Sequence, residues 1–344
     1  MTAAVVQSTL DIERPEQLVT YLRRTGRIGA GESPMMEVLT GGVSNRTVLV
    51  TRAGGEAWVV KQALPKLRVD VDWFSDTDRI HCEALGLQWL QMLCGESATP
   101  TLIFEDPAEH LLAMAAVPRP HENWKAMLMA GRVDDDHVWQ FGSMLGHIHQ
   151  RSWDSKSELE SLFADRSFFE SLRVEPYYQY TASQCPAARD FLEELIADTR
   201  ARRLCIVHGD YSPKNVLVRN GRLILLDHEV IHWGDPAFDI GFALTHLLSK
   251  AHHLGAYRRR FAEAALMFWN RYFAIFGPDA PWIDLECFTV RHTLGCLLAR
   301  VAGRSTLEYL DAAERRRQES VVIGLMRQRP QRVSDLIHAF IAGV

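Results

Sequence analysis

His208–Asp239 reads HGDYSPKNVLVRNGRLILLDHEVIHWGDPAFD, and this stretch decides the fold. It opens on an H-x-D-x-x-x-x-N loop that runs from His208 through Asp210 to Asn215. Two short apolar strands follow, Val216–Val218 and Leu223–Leu226, joined by Asn220-Gly221, the dipeptide best suited to a two-residue hairpin turn. Such a hairpin returns Asp227 to the side of Asn215, so that two residues twelve apart can share one metal. Phosphoryl transfer from ATP needs these groups in this order. One aspartate orients or deprotonates an attacking hydroxyl, and an asparagine and a second aspartate hold the magnesium that neutralises the phosphates.

Working towards the N-terminus, residues 36–40 and 46–52 read as two strands around Gly41-Gly42-Val43-Ser44-Asn45. Without Cβ atoms, the Gly41-Gly42 backbone can approach phosphate, and Ser44 and Asn45 complete the turn, although a plain Gly-Gly hairpin has the same sequence. Ala57–Lys61 reads as a third strand, which puts Lys61 where a lysine can grip the α- and β-phosphates. A helix from about Arg79 to Leu93 supplies Glu83 as its carboxylate partner, on a face beside the Leu87/Leu90 stripe. Further strands are expected at Leu102–Glu105 and Leu111–Ala116. Pro118 and Pro120 then mark a boundary between an N-terminal nucleotide-binding lobe, residues 1–117, and a helical lobe, residues 118–344. Asp11 is placed to cap a first helix from Pro15. Late helices are expected at about 239–251, 256–275, 284–302, 306–326 and 332–342.

Asn215 and Asp227 offer the hard oxygen ligands that Mg2+ prefers. Glu229, two residues on in an extended segment, points to the same side as Asp227. It either supports a second metal or metal-bound water, or lies on the surface. Asp239 opens a helical pattern and either caps it or braces the His208-Gly-Asp loop through backbone N–H groups. His208 reads as a buried hydrogen-bonding residue.

The composition excludes several classes. A formal charge of −5 without a dense basic run leaves no footprint for nucleic acid, and no apolar run reaches the roughly 20 residues of a membrane span. The six cysteines form no C-x-x-C pair, and no Cys/His set has zinc-finger spacing, so reduced thiols and a cytoplasmic location are expected. The N-terminus lacks the basic and apolar regions of a signal peptide. Nothing in the sequence specifies an oligomeric state.

On HGDYSPKN, LLDHE and GDPAFDIG, and also on TGGVSN and WVVKQ, the chain resembles the aminoglycoside phosphotransferase and choline kinase-like family from about residue 34 to 310. The resemblance implies an α+β, bilobal protein-kinase-like fold, with a small β-sheet-plus-helix N-lobe and a larger, mainly helical C-lobe. It also implies ATP and Mg2+ as cofactors, Asp210 as the catalytic aspartate, Asn215 and Asp227 on the metal, and Lys61 with Glu83 on the phosphates. Adenine would sit at Met114–Val117, read by backbone groups of Ala115 and Val117. Within the family, VVKQALPKLRVD is similar to the corresponding stretch of methylthioribose kinases. Asp227-His-Glu229 replaces Asp-Phe-Gly and no Ala-Pro-Glu segment follows, which argues against a protein substrate. The expected acceptor is a small-molecule hydroxyl, a sugar or sugar-like alcohol. Methylthioribose, an aminoglycoside, an amino alcohol and a hydroxyacyl compound stand as alternatives. A nucleotide-binding scaffold without turnover would not explain why Lys61, Asp210, Asn215 and Asp227 occur together.

Overall fold

The computed structural model describes residues 10–40, 42–68, 72–95, 97–276, 282 and 284–344. Helix α1 (Pro15–Arg24) precedes strands β1 (Met35–Val38), β2 (Asn45–Thr51) and β3 (Ala57–Ala63), then helix α2 (Arg79–Cys94), β4 (Leu102–Asp106) and β5 (Leu111–Ala115). The five strands form one antiparallel sheet in the order β1-β2-β3-β5-β4. The two-residue period of β3 assigns its side chains to opposite layers. Trp58 and Val60 pack with Leu18, Tyr21 and Leu22 of α1. Val59 and Ala63 pack with Ile80, Ala84 and Leu87 of α2, so Lys61 between them faces α2 as well.

The chain leaves this sheet after β5 and enters the second lobe through β6 (Glu122–Asn123), α3 (Trp124–Met129) and α4 (Asp135–Asp154). Short helices α5 (Lys156–Leu159), α6 (Ser167–Phe169) and α7 (Tyr180–Gln184) follow, with a wide-turned π segment, Glu170–Gln179, between the last two. Helix α8 (Arg189–Ala201) leads to β7 (Cys205–Val207), the hairpin β8 (Val216–Arg219) and β9 (Arg222–Leu225), and β10 (His232–Gly234). Helices α9 (Pro236–His253), α10 (Arg258–Phe276), α11 (Leu285–Ala302), α12 (Ala312–Gln328) and α13 (Val333–Gly343) complete the lobe. One apolar core unites them, with Phe141 and Leu145 of α4 packed among Phe238, Phe242, Phe268 and Leu294. This is the α+β bilobal architecture expected from the sequence.

Three local expectations are corrected. Asp11 accepts from the Glu13 N–H in the turn before α1 and does not cap the helix, which begins at Pro15 after Arg14. The helix expected from 306 begins at Ala312, because Asp311 and Glu314 form a reciprocal capping box there. Asp239 lies inside α9, whose N-cap is Asp235, the acceptor for the Ala237 N–H. The β8–β9 turn is as expected. Asn220 and Gly221 both have positive φ, +50° and +73°, as a twisted two-residue hairpin requires.

Candidate active site

The β7–β10 pair aims the His208-Gly-Asp loop at the cleft between the lobes, and α9 locks it from behind. Asp239 accepts the His208 N–H through Oδ2 at 2.6 Å and the Gly209 N–H through Oδ1 at 2.8 Å. Its Oδ2 also meets His149 Nε2 at 3.3 Å, and His149 Nδ1 meets the Tyr272 hydroxyl at 2.9 Å, all in the interior. Asp239 is therefore the brace of the loop. Only glycine fits position 209, where φ is +76° and a Cβ would come within 2.9 Å of the Val230 carbonyl oxygen. Asp239→Ala strands two buried N–H donors, and we expect it to cost about 3 kcal/mol or more, read as a lower urea midpoint.

Three groups converge on Asp210 Oδ2: Asn215 Nδ2 donates at 2.8 Å, Arg173 pairs at 3.0 Å and the Lys214 ammonium stands at ion-pair distance, 3.7 Å. Burial pushes this carboxyl up, but Arg173 and Lys214 outweigh it and hold Asp210 below the usual carboxylate range. The His208 ring is neutral because burial lowers its pKa. Its Nδ1 accepts the Asp210 N–H at 3.2 Å, which leaves the proton on Nε2, directed at His228 Nδ1 at 3.1 Å. The loop is thus tied to the segment that carries Asp227.

Asn215 and Asp227 meet through the hairpin, where the Leu226 N–H donates to the Asn215 carbonyl at 2.8 Å. Asp227 has φ +68°, a left-handed conformation that Asp tolerates better than most residues. Burial raises its carboxyl, but Lys61 and Lys214 outweigh that and hold it below the ordinary range. An ionised carboxylate beside the amide oxygen of Asn215, whose Nδ2 is already committed to Asp210, is a donor set that fits Mg2+.

Lys61 Nζ lies 2.5 Å from Glu83 Oε1 and 3.6 Å from Asp227 Oδ1. These carboxylates outweigh burial and raise the lysine's pKa, so it stays charged. Glu83 lies within the buried stripe rather than beside it: positions 83, 87 and 90 share one helical face, and Glu83 is fully buried. Burial pushes Glu83 up to about 7, against the attraction of Lys61.

Glu229 is buried rather than on the surface. Its Oε2 accepts from Asn45 Nδ2 at 3.2 Å and from Arg79 Nε at 3.2 Å. Arg79 was not anticipated. Fully buried at the start of α2, it also donates to the Ser44 carbonyl, and to Leu64 O at 2.9 Å. One guanidinium therefore ties the turn before β2 to the Asp227–Glu229 segment. Its sequence signal is the i, i+4 spacing from Glu83, which puts both on the inward face. Gly42 is exposed, with open space where a Cβ would stand. Gly41 lies outside the described residues. At the β5 end, the Ala115 N–H bonds Thr101 O at 2.8 Å and the Ala116 N–H bonds Ala57 O at 2.9 Å, which makes Val117 the first residue past the ladder.

Beyond Asp210 lies a cationic wall; of the arginine pair that the resemblance to methylthioribose kinases suggests, Arg300 and Arg304, it holds Arg300. The Arg173 and Arg300 guanidinium groups lie 5.8 Å and 5.0 Å from the centre of the Tyr177 ring, and Arg300 also helps to lower Asp210. Next to Arg300, the fully buried Lys250 donates to the His246 carbonyl at 3.2 Å. Burial, reinforced by Lys125 and Arg300, pushes its ammonium down to about 7. Between about pH 7 and 10 the unfolded chain holds a proton here that the folded chain does not, so this group makes stability rise with pH across that window. Lys250→Met is expected to raise Tm at pH 7 by at least ~2 °C and to remove that part of the slope, measured by calorimetry from pH 6 to 9.

The model of the phosphotransferase enzyme family matches residues 36–280. The chain belongs to the phosphotransferase enzyme family. Among curated members it is 25% identical over 265 residues to the methylthioribose kinase of Pectobacterium atrosepticum, an alignment that covers 68% of this chain and 64% of that enzyme. The chain therefore spans slightly less than two thirds of that relative's length. The fold is shared with the Plasmodium vivax ethanolamine kinase, at TM-score 0.59 and 10% identity over 92% of this chain and 91% of that one. It is also shared with an amicoumacin kinase solved with AMP-PNP and Ca2+, at TM-score 0.56 and 15% identity over 88% and 91% of the two chains. In this family member, among the described residues, no helix is long and apolar enough to cross a membrane.

Proposed function

We propose that this phosphotransferase is a cytoplasmic, ATP- and Mg2+-dependent kinase that moves the γ-phosphoryl group to a hydroxyl of a small molecule. The observation that carries this reading is the convergence of Lys61, Asp210, Asn215 and Asp227 on one cleft, with the lysine held charged and both aspartates held below the usual carboxylate range. Asp210 presents a carboxylate whose Oδ2 is fixed by Asn215, Arg173 and Lys214, so Oδ1 takes the acceptor O–H. Held below the usual carboxylate range, it is a weak base that orients the oxygen first and accepts the proton late, as the bond from γ-phosphorus to the leaving ADP breaks. Lys61, positioned by Glu83, holds the α- and β-phosphates, and the turn through Gly42, Ser44 and Asn45, anchored by Arg79 and Glu229, covers them. Asn215 and Asp227 would hold Mg2+, with Glu229 behind them, and a bound ion would offset charge on the β- and γ-phosphates. Ala115 and Val117 offer the backbone groups for adenine.

The acceptor side favours a neutral polyol over a polycation. Arg173 and Lys214 pair with Asp210 and Arg300 lies beside the same Tyr177 ring as Arg173, so a cationic aminoglycoside or amino alcohol would meet like charge there. A sugar such as methylthioribose suits this wall, and the kinship with methylthioribose kinases supports the same class. In a coupled ADP-release assay with Mg-ATP, neutral sugars are expected to outpace choline, ethanolamine and aminoglycosides by at least ~10-fold in kcat/KM. Faster turnover of the cationic compounds would reverse the reading of the acceptor. Lys61→Ala is expected to lower kcat/KM for ATP at least ~10-fold, about 1.4 kcal/mol, in the same assay. Unchanged kinetics would remove Lys61 from the phosphate site.

A further inference from the structure

Away from the cleft chemistry, the first turn of α2 and the β4–β5 turn bring together a second set of ligating side chains. Asp78, the N-cap residue of α2, places Oδ1 3.2 Å from His110 Nδ1 and 3.8 Å from His81 Nε2. The three ligating atoms all lie within 4.8 Å of one another. Donor atoms on a tetrahedral zinc at about 2.0–2.1 Å stand roughly 3.3 Å apart, so these groups need only small side-chain adjustments to share an ion. The other nitrogen of His81, Nδ1, is held by the Glu105 carboxylate. A carboxylate on the far side of an imidazole fixes the tautomer that leaves Nε2 unprotonated, as zinc-binding histidines require. His110 has φ +46°, a left-handed backbone that is uncommon outside glycine and that points its ring towards α2.

We propose that Asp78, His81 and His110 form a binding site for a divalent transition metal of the Zn2+ type, supported by Glu105, which clamps the start of α2 to the β4–β5 turn. Two imidazole nitrogens and one carboxylate suit zinc, nickel or copper and not the all-oxygen preference of magnesium. The clamp has a mechanical consequence: His81 is two residues before Glu83, the partner of Lys61, so an ion here fixes the helix that sets the nucleotide-binding lysine. The site is separate from the Asn215/Asp227 pair.

The test uses the full chain stripped of metal and titrated with Zn2+ alone in competition with a chromophoric chelator. One equivalent is expected to bind at micromolar Kd or tighter, and hydrogen exchange in the first turn of α2 is expected to slow. Asp227→Asn should retain this equivalent. His81→Ala and His110→Ala should each lose it or weaken it at least ~30-fold, and Glu105→Gln should weaken it ~10-fold or more. His81, His110 and Glu105 are all part-exposed, and circular dichroism of each variant checks that the fold is intact. Absence of a stoichiometric Zn2+ site in the wild type overturns the proposal. So does a site that survives both histidine substitutions or disappears in Asp227→Asn.

Discussion

Asp210→Asn is expected to lower kcat by about 10³-fold while Mg-ATP affinity stays within about twofold. The substitution keeps the shape of the side chain and an oxygen for the acceptor hydroxyl, and removes the charge that orients that hydroxyl and receives its proton. The carboxylate is also the counter-charge for Arg173 and Lys214, at 3.0 Å and 3.7 Å, so part of the loss comes from a displaced acceptor side. A single-turnover experiment separates the two effects. Loss of the chemical step with saturable acceptor binding assigns Asp210 to proton transfer, and loss of acceptor binding alone assigns it to positioning. A variant with wild-type kcat would remove Asp210 from the reaction.

Asp227→Asn should abolish the dependence of ATP binding on Mg2+. Asparagine tolerates the left-handed backbone at this position, where φ is +68°, so the fold is held constant and the charge is the variable. The carboxylate ranks with Asn215 as the hard-oxygen donor at the end of the hairpin, and it also attracts Lys61 across 3.6 Å. Titration of ATP with and without Mg2+ should show the metal strengthening binding at least ~10-fold in the wild type and less than about twofold in the variant. Full Mg2+ dependence in the variant would move the metal to other ligands.

Much of this arrangement was legible because its determinants are local. The Asn220-Gly221 turn dictates a hairpin, and the hairpin brings Asp227 back to Asn215. The alternation of β3 sends Lys61 to the α2 side. Glu83 follows from helical spacing, although its burial required the sheet to be in place. What stayed hidden depends on contacts between distant segments. Arg173 lies in a π segment that breaks the 3.6-residue period, so no pattern pointed to it. Arg79 gains its partners from the Ser44 carbonyl before β2, the Leu64 carbonyl after β3 and Glu229, which are far apart in sequence. The two readings of Asp239 differed in where α9 begins, and the Asp235-Pro236 pair settles that, Asp235 supplying the cap and Pro236 the first helical residue.

The most direct test of the central claim is to follow Mg-ATP with methylthioribose and a set of neutral sugars by ³¹P NMR, wild type beside Asp210→Asn. The account predicts a phosphomonoester on one acceptor, formed one-to-one with ADP by the wild type and absent with the variant. ADP and inorganic phosphate as the only new signals, or a phosphomonoester made equally well by Asp210→Asn, would contradict it.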